Sequence, residues 1–238
     1  MQETAAIFEQ LGGLFVTPPA VLARKLQSVR AVLFDWDGVF NDGVKTEAGS
    51  STFSEVDSMG TNLLRFGLWL HHNEQLPLAA IITGVHNHLA LRLAHREHFQ
   101  AVYSQAKHKV TVLNALLAEY NLRPEEVLFF FDDALDLSVA EVVGARILVR
   151  RSANPLFTRH VVQAGLADYV TGHEGGHFAV REGCELCLGL LDRYDVVMSE
   201  RLRYQPVYER YYAQRQAIQT QGWVVEGTRF HPQVIDSL

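Results

Sequence analysis

Ala31-Val32-Leu33-Phe34-Asp35-Trp36-Asp37-Gly38-Val39 sets two carboxylates at the end of a short apolar run. In an extended segment residues i and i+2 share a face, so Asp35 and Asp37 point to one place. Ionised groups that close repel unless a cation or a shared proton holds them. The stretch therefore marks a metal-dependent reaction centre. A second acidic cluster sharpens the reading. Leu128-Phe129-Phe130-Phe131 has the form of a fully buried strand and runs directly into Asp132-Asp133-Ala134-Leu135-Asp136. In an open α/β sheet, ligands bind at the carboxyl ends of the strands, so two strands ending in acids can converge on one hard cation. Oxygen donors without nearby thiolates or paired imidazoles favour Mg²⁺ over zinc. The plainer alternative is that each cluster caps a following helix, where Asp is ordinary.

Between the clusters lie further pieces. Leu78-Ala79-Ala80-Ile81-Ile82 reads as another buried strand, and Thr83-Gly84 follows it with a hydroxyl and a permissive backbone where a phosphate oxygen can be held. A helix is expected from about Asn87 to Phe99. Lys107 and Lys109 open an amphipathic segment whose apolar face carries Val110, Leu113, Leu116 and Leu117. Lysine near a helix N-terminus opposes the macrodipole at a cost of roughly 0.3–1 kcal/mol. An anion at that place would account for the pair, and simple solvation is the alternative.

The remaining segments alternate in type. Short helices are expected over Thr4 to Leu11 and from a Thr17 cap through Gln27, and a β-hairpin over Gly43 to Glu55 with Gly49 in its turn. A helix over Asn62 to Leu70, a strand near Val102, and strands at Arg146-Ile147-Leu148-Val149 and Asp168-Tyr169-Val170-Thr171 continue the pattern. Such alternation predicts an α/β fold, a Rossmann-like parallel sheet with helices on both faces and the small hairpin as its insertion. From about Asp192 the character changes: Tyr194, Tyr204, Tyr208, Tyr211, Tyr212 and Trp223 interleave with Arg201, Arg203, Arg210 and Arg215. The expected division is an N-terminal helical segment 1–28, a catalytic domain 29–191 and an aromatic, basic extension 192–238. The extension reads as a helix folded on its own domain or as an arm to another subunit.

At 238 residues, 48% hydrophobic and 20% charged, the chain is long enough for a substantial core and is not of disordered composition. A formal net charge of −6 gives no electrostatic footprint for nucleic acid or an anionic membrane. No apolar run approaches the roughly 20 residues of a membrane span, and no signal-peptide pattern opens the chain, so a cytoplasmic location is the expectation. Cys184 and Cys187, the two cysteines, sit in a late amphipathic segment and read as buried small hydrophobes.

The order Asp-x-Asp, Thr-Gly, Lys, Asp-Asp-x-x-Asp, each at a strand end or helix start, resembles the haloacid dehalogenase superfamily of phosphohydrolases. The closer resemblance is to the 3-deoxy-D-manno-octulosonate 8-phosphate phosphatase branch. It is carried by Phe34-Asp35-Trp36-Asp37-Gly38-Val39-Phe40-Asn41-Asp42-Gly43, by Phe53-Ser54-Glu55-Val56-Asp57-Ser58-Met59-Gly60, and by Gly175-Gly176-His177-Phe178-Ala179-Val180-Arg181-Glu182. The resemblance implies a Mg²⁺-dependent phosphomonoesterase without a large cap domain, acting on a small phosphorylated metabolite and assembled as a homotetramer. It implies Asp35 as nucleophile and Asp37 as acid and base, with Mg²⁺ held by Asp35, the Asp37 main-chain carbonyl and Asp132. Thr83, Gly84 and Lys109 would hold the phosphate, Asp133 and Asp136 would orient Lys109 or a metal water, and Asp57 and Gly60 would meet the substrate.

The chain also departs from the family pattern. Phe131 stands where Gly usually precedes the Asp-Asp pair, which predicts a more crowded backbone there. Val85 and Val56 stand where arginines suited to a sugar-acid carboxylate are common. Two rivals follow: a phosphoryl-accepting receiver domain, whose order of motifs differs, and a non-catalytic member of the fold used for assembly or ligand binding.

Overall fold

The apolar runs that end in acids lie side by side at the centre of a sheet. In the computed structural model, which describes residues 1–45, 51–204 and 206–233, β2 (Ala31–Phe34) runs parallel between β3 (Leu78–Ile82) and β5 (Val127–Phe131). Ala31 faces Leu78 on one side and Val127 on the other. Every residue of these strands is buried, as expected where helices cover both faces of a parallel sheet. β4 (Ala101–Ser104) follows β3, while β6 (Ala145–Arg150) and β7 (Tyr169–Glu174) follow β5, all parallel. β1 (Leu14–Phe15) closes one edge antiparallel to β7. At the other edge β8 (Gln221–Glu226) pairs parallel with β4 and turns at Gly227 into antiparallel β9 (Arg229–Gln233). Among the described residues the order is β1-β7-β6-β5-β2-β3-β4-β8-β9.

Alternate residues of the strands feed two cores. α1 (Gln2–Gln10), α2 (Pro19–Leu26), α3 (Glu55–His71), α4 (His88–Glu97) and α8 (Ala179–Leu190) pack with Val32, Phe34, Phe130 and Ile147. α5 (Lys109–Glu119), α6 (Leu137–Ala140) and α7 (Pro155–Gln163) pack with Leu33, Phe129, Phe131 and Leu148. Cys184 and Cys187 are free and buried in α8, and burial pushes both thiols up.

Several elements differ from the sequence expectation for identifiable reasons. α3 starts at Glu55, well before Asn62, because Ser54 caps it by accepting the Asp57 N–H at 3.0 Å. Thr17 does not cap α2; its hydroxyl donates to Asp168 Oδ1 at 2.6 Å, and Pro18 precedes the helix without a side-chain cap. The turn of the expected hairpin, 46–50, lies outside the described residues, and the described flanks on either side carry no strand.

After Asp192 the chain forms α9 (Tyr194–Arg203) and α10 (Pro206–Gln216) before β8. Tyr208 and Tyr211 of α10 pack on Phe66 of α3, and the Tyr211 hydroxyl donates to Asn62 O at 3.1 Å. A buried polar knot joins the same helices. Glu97 of α4 accepts from Ser58 at 2.7 Å, Asn62 at 3.3 Å and Arg215 at 3.1 Å. The tail segment is thus tied to the sheet on its helical face and at its edge.

Candidate active site

The strand ends open on a cleft of about 420 Å³ lined by Asp35, Asp37, Thr83, Lys109, Asp132 and Asp136, with Gly84, Val85 and Arg151 also on its walls. Asp35 still belongs to the sheet, its N–H donating to Phe130 O at 2.9 Å. The backbone then turns. Gly38 adopts φ +87°, and Asn41 staples the turn by donating to Trp36 O at 3.2 Å and accepting from Gly43 N–H at 2.9 Å. Gly175 allows the turn to lie against the loop after β7, since a Cβ there would sit 2.0 Å from Gly38 O and 2.6 Å from Asn41 O. Both obstructions are backbone, so Gly175→Ala is expected to destabilise the protein by roughly 1–3 kcal/mol and to lower activity by displacing Asp37. Gly84→Ala, whose Cβ would meet nothing within 4 Å, should leave the melting temperature unchanged in the same thermal scan.

Lys109 opens α5 and is buried between two acids, its Nζ 2.5 Å from Asp35 Oδ1 and 2.5 Å from Asp136 Oδ1. Burial works against its charge, but the two carboxylates outweigh burial and raise its pKa, so it is an ammonium. Lys107 is exposed. Asp35, Asp132 and Asp136 each place one oxygen within 4.8 Å of the others. Burial and the charges of Asp35 and Asp136 push Asp132 up to about 8, with Arg151 pulling it back. Burial and Asp35 likewise push Asp136 up to about 7, opposed by Lys109. Asp132 Oδ1 is buried and has no hydrogen-bond partner. An orphaned carboxylate oxygen beside further oxygen donors fits a hard divalent cation.

The other expected site residues are distributed around this centre. Asp37 is more exposed; its Oδ1 accepts from Ser51 Oγ at 2.6 Å and its Oδ2 pairs with Lys45. Thr83 is fixed by its backbone, donating to Tyr103 O at 2.8 Å and accepting from Ala106 N–H at 3.0 Å, and it lines the cleft with Gly84. Asp133 is exposed and caps the short turn Ala134–Asp136, while its N–H donates to Asp136 Oδ2 at 3.3 Å.

Asp57 and Gly60 do not line the cleft. Because α3 begins early, both face α8. Asp57 is buried, accepting from Arg181 N–H at 2.9 Å and from Ser54 Oγ at 3.0 Å. A Cβ on Gly60 would lie 2.9 Å from Arg181 Cα. They hold α3 and α8 together. The Phe131 side chain turns into the core, its ring buried and stacked on Phe129 at 5.7 Å. Val85 stands on the cleft wall, 43% exposed.

Arg151, Lys45 and Ser51 were not reached by sequence reasoning. Arg151 follows β6 and pairs with Asp132 Oδ2 at 2.8 Å. A basic residue at the end of a core strand was the available signal, although no spacing rule couples it to Asp132.

A parallel sheet whose central strands end in Asp-x-Asp and Asp-Asp, with Thr-Gly and a buried lysine between, defines a phosphatase of the haloacid dehalogenase superfamily. No family model matches the chain. The 3-deoxy-D-manno-octulosonate 8-phosphate phosphatase KdsC of Escherichia coli K12 is 30% identical over 174 residues, 71% of this chain and 84% of that protein. By this relationship the chain belongs to the KdsC phosphatase family. Solved structures agree. A probable YrbI family phosphatase from Pseudomonas syringae pv. phaseolica 1448a is 29% identical with a TM-score of 0.64, covering 76% of this chain and 97% of that one. The 3-deoxy-D-manno-octulosonate 8-phosphate phosphatase from Yersinia pestis is 28% identical with a TM-score of 0.61, covering 74% and 89%. No helix among the described residues is long and apolar enough to cross a membrane.

Proposed function

We propose that this protein hydrolyses a small sugar-acid or sugar phosphate, of the 3-deoxy-D-manno-octulosonate 8-phosphate kind, with Mg²⁺ and through an aspartyl-phosphate. The observation that carries the reading is Lys109 clamped between Asp35 and Asp136, beside the unpartnered Oδ1 of Asp132. Asp35, the Asp37 main-chain carbonyl and Asp132 would hold Mg²⁺, which supplies charge neutralisation for the phosphoryl oxygens. The Asp35 carboxylate attacks phosphorus, forming one P–O bond while the bond to the sugar oxygen breaks. Asp37 gives its proton to the departing alkoxide. It then takes a proton from water, whose oxygen attacks phosphorus, releases inorganic phosphate and regenerates Asp35. The Thr83 hydroxyl, the Gly84 N–H and the Lys109 ammonium hold the phosphoryl oxygens, and Asp136, itself held by Asp133 N–H, keeps Lys109 in place. Ser51 and Lys45 aim Asp37. We include a homotetramer in this reading, supported by the family resemblance.

Phosphate release from 3-deoxy-D-manno-octulosonate 8-phosphate tests the proposal. Turnover should require Mg²⁺ and vanish in EDTA while the circular dichroism of the fold persists; activity after exhaustive chelation refutes it.

The acids of the cleft also set a pH dependence. Burial and the neighbouring carboxylates push Asp132 up to about 8 and Asp136 up to about 7, above the roughly 3.9 of a free Asp. Their contribution to the metal-free fold is greatest when they are protonated and is lost as pH rises through those values. A cation takes the place of those protons. The gain in melting temperature on adding Mg²⁺ should therefore be larger at pH about 8.5 than at pH about 6. Equal gains at both would show that these two groups do not face the ion.

A further inference from the structure

Arg151 grips one oxygen of Asp132 and leaves the other. Its Nη2 donates to Asp132 Oδ2 at 2.8 Å and its Nε to the same oxygen at 3.2 Å, while its Nη1 reaches Asp42 O at 3.4 Å. Oδ1 of Asp132 is buried without a partner. The pair has a built seat. A Cβ on Gly38 would lie 1.9 Å from Asp132 Oδ2 and 2.1 Å from Arg151 Nη2, and one on Gly43 would lie 3.4 Å from that Nη2. Gly38 thus clears the space the pair fills, a Cβ on Gly43 would make only an ordinary contact with the guanidinium, and both glycines have a positive φ that suits the residue. Asp132 is almost fully buried, with its side chain 3% exposed, so water does not compete freely for Oδ2.

We propose that Arg151 is a positioning residue that makes Asp132 a one-oxygen ligand and so favours Mg²⁺ over Ca²⁺ at this centre. The inference rests on the proposed function, in which Asp132 holds the ion. Its physical basis is the difference between the two cations. Ca²⁺ accepts six to eight oxygens in flexible arrangements and takes carboxylates through one oxygen or two, whereas Mg²⁺ demands a compact octahedron. With Oδ2 held by the guanidinium fork, Asp132 offers Oδ1 alone, which suits the smaller ion. Freed of Arg151, the carboxylate can turn and offer both oxygens. A second effect works alongside: a guanidinium near a divalent cation repels it, and removing that charge raises the affinity for both ions alike. The ratio of the two affinities cancels this common part and reports the geometry.

The test is calorimetric titration of the full chain with MgCl₂ and with CaCl₂, for wild type, R151M, R151A and R151K, after thermal scans in EDTA confirm that each is folded. Outer-shell partners typically alter metal affinity by about 10–100-fold. Kd(Ca²⁺)/Kd(Mg²⁺) is expected to fall by about tenfold or more in R151M and R151A. R151K, which keeps a donor for Oδ2, should return the ratio toward wild type. Should one removal variant fail to fold, the other decides. A folded removal variant whose ratio stays within about twofold of wild type overturns the inference, because an effect that small lies below the range for such partners. In that case a wild type that prefers Mg²⁺ leaves the proposed function standing. A wild type that binds neither cation overturns both.

Discussion

Asp35→Asn is expected to lower turnover on the order of 10³-fold or more, about 4 kcal/mol of barrier, with little change in fold. Asparagine has nearly the size of aspartate, and its amide oxygen can still accept from Lys109, whose Nζ lies 2.5 Å from Asp35 Oδ1. The backbone bond from residue 35 to Phe130 O does not depend on the side chain. What disappears is the nucleophile and one anionic donor to the cation. The amide is neutral and far less nucleophilic, so no aspartyl-phosphate forms. Steady-state phosphate release and trapping of the acid-stable phosphoenzyme check the two consequences separately. Activity within about tenfold of wild type, roughly 1.4 kcal/mol, rejects the covalent role.

Lys109→Met should have the largest effect on stability as well as a severe one on activity. It leaves Asp35 and Asp136 buried without the ammonium that both contact. Breaking a buried pair by removing one partner costs about 3–5 kcal/mol. Proton uptake by Asp136, already pushed up to about 7, offsets part of that cost, so about 3 kcal/mol is expected at neutral pH. For a chain of this size that is a fall of about 6–12 °C in melting temperature. Lys107→Ala, at an exposed side chain, should stay within about 0.5 kcal/mol of wild type. Raising Mg²⁺ should recover part of the lost stability in Lys109→Met, since the cation neutralises the same acids, without recovering the clamp on the phosphate. Equal and small effects of the two lysine changes would contradict the buried geometry.

The strands and their acidic ends could be read from the sequence because a doubly covered parallel sheet requires uninterrupted apolar runs, and Val127 to Phe131 or Leu78 to Ile82 have few other uses. The same property places Asp35, Thr83, Lys109 and Asp132 together, since all follow or flank such strands. Side-chain competition was harder to read. Thr17 had the composition of a helix cap, yet the carboxylate of Asp168, distant in sequence, took its hydroxyl. Ser54 caps α3 through a local bond that the weak helix formers Gly60, Thr61 and Asn62 obscured. Asp57 and Gly60, which the family resemblance would bring to the substrate, lie against Arg181 of α8. Arg151 and Lys45 act across loops, and a charge meeting its partner through tertiary structure leaves no periodic trace. Gln221 to Gln233 looked like the end of an aromatic helical tail. Its role as edge strands depends on pairing with β4, more than a hundred residues earlier in the chain.

That pairing has a consequence for synthesis. β4 is made early, but its outer edge is covered by Gln221 to Val224, and β1 likewise waits for Tyr169 and Val170. On the ribosome both margins of the nascent sheet stay unpaired while the centre is complete, and open margins recruit other strands. Chaperone demand should therefore concentrate on chains stalled between residues 193 and 220, in which the motifs of the cleft are present and the β4 margin is still bare.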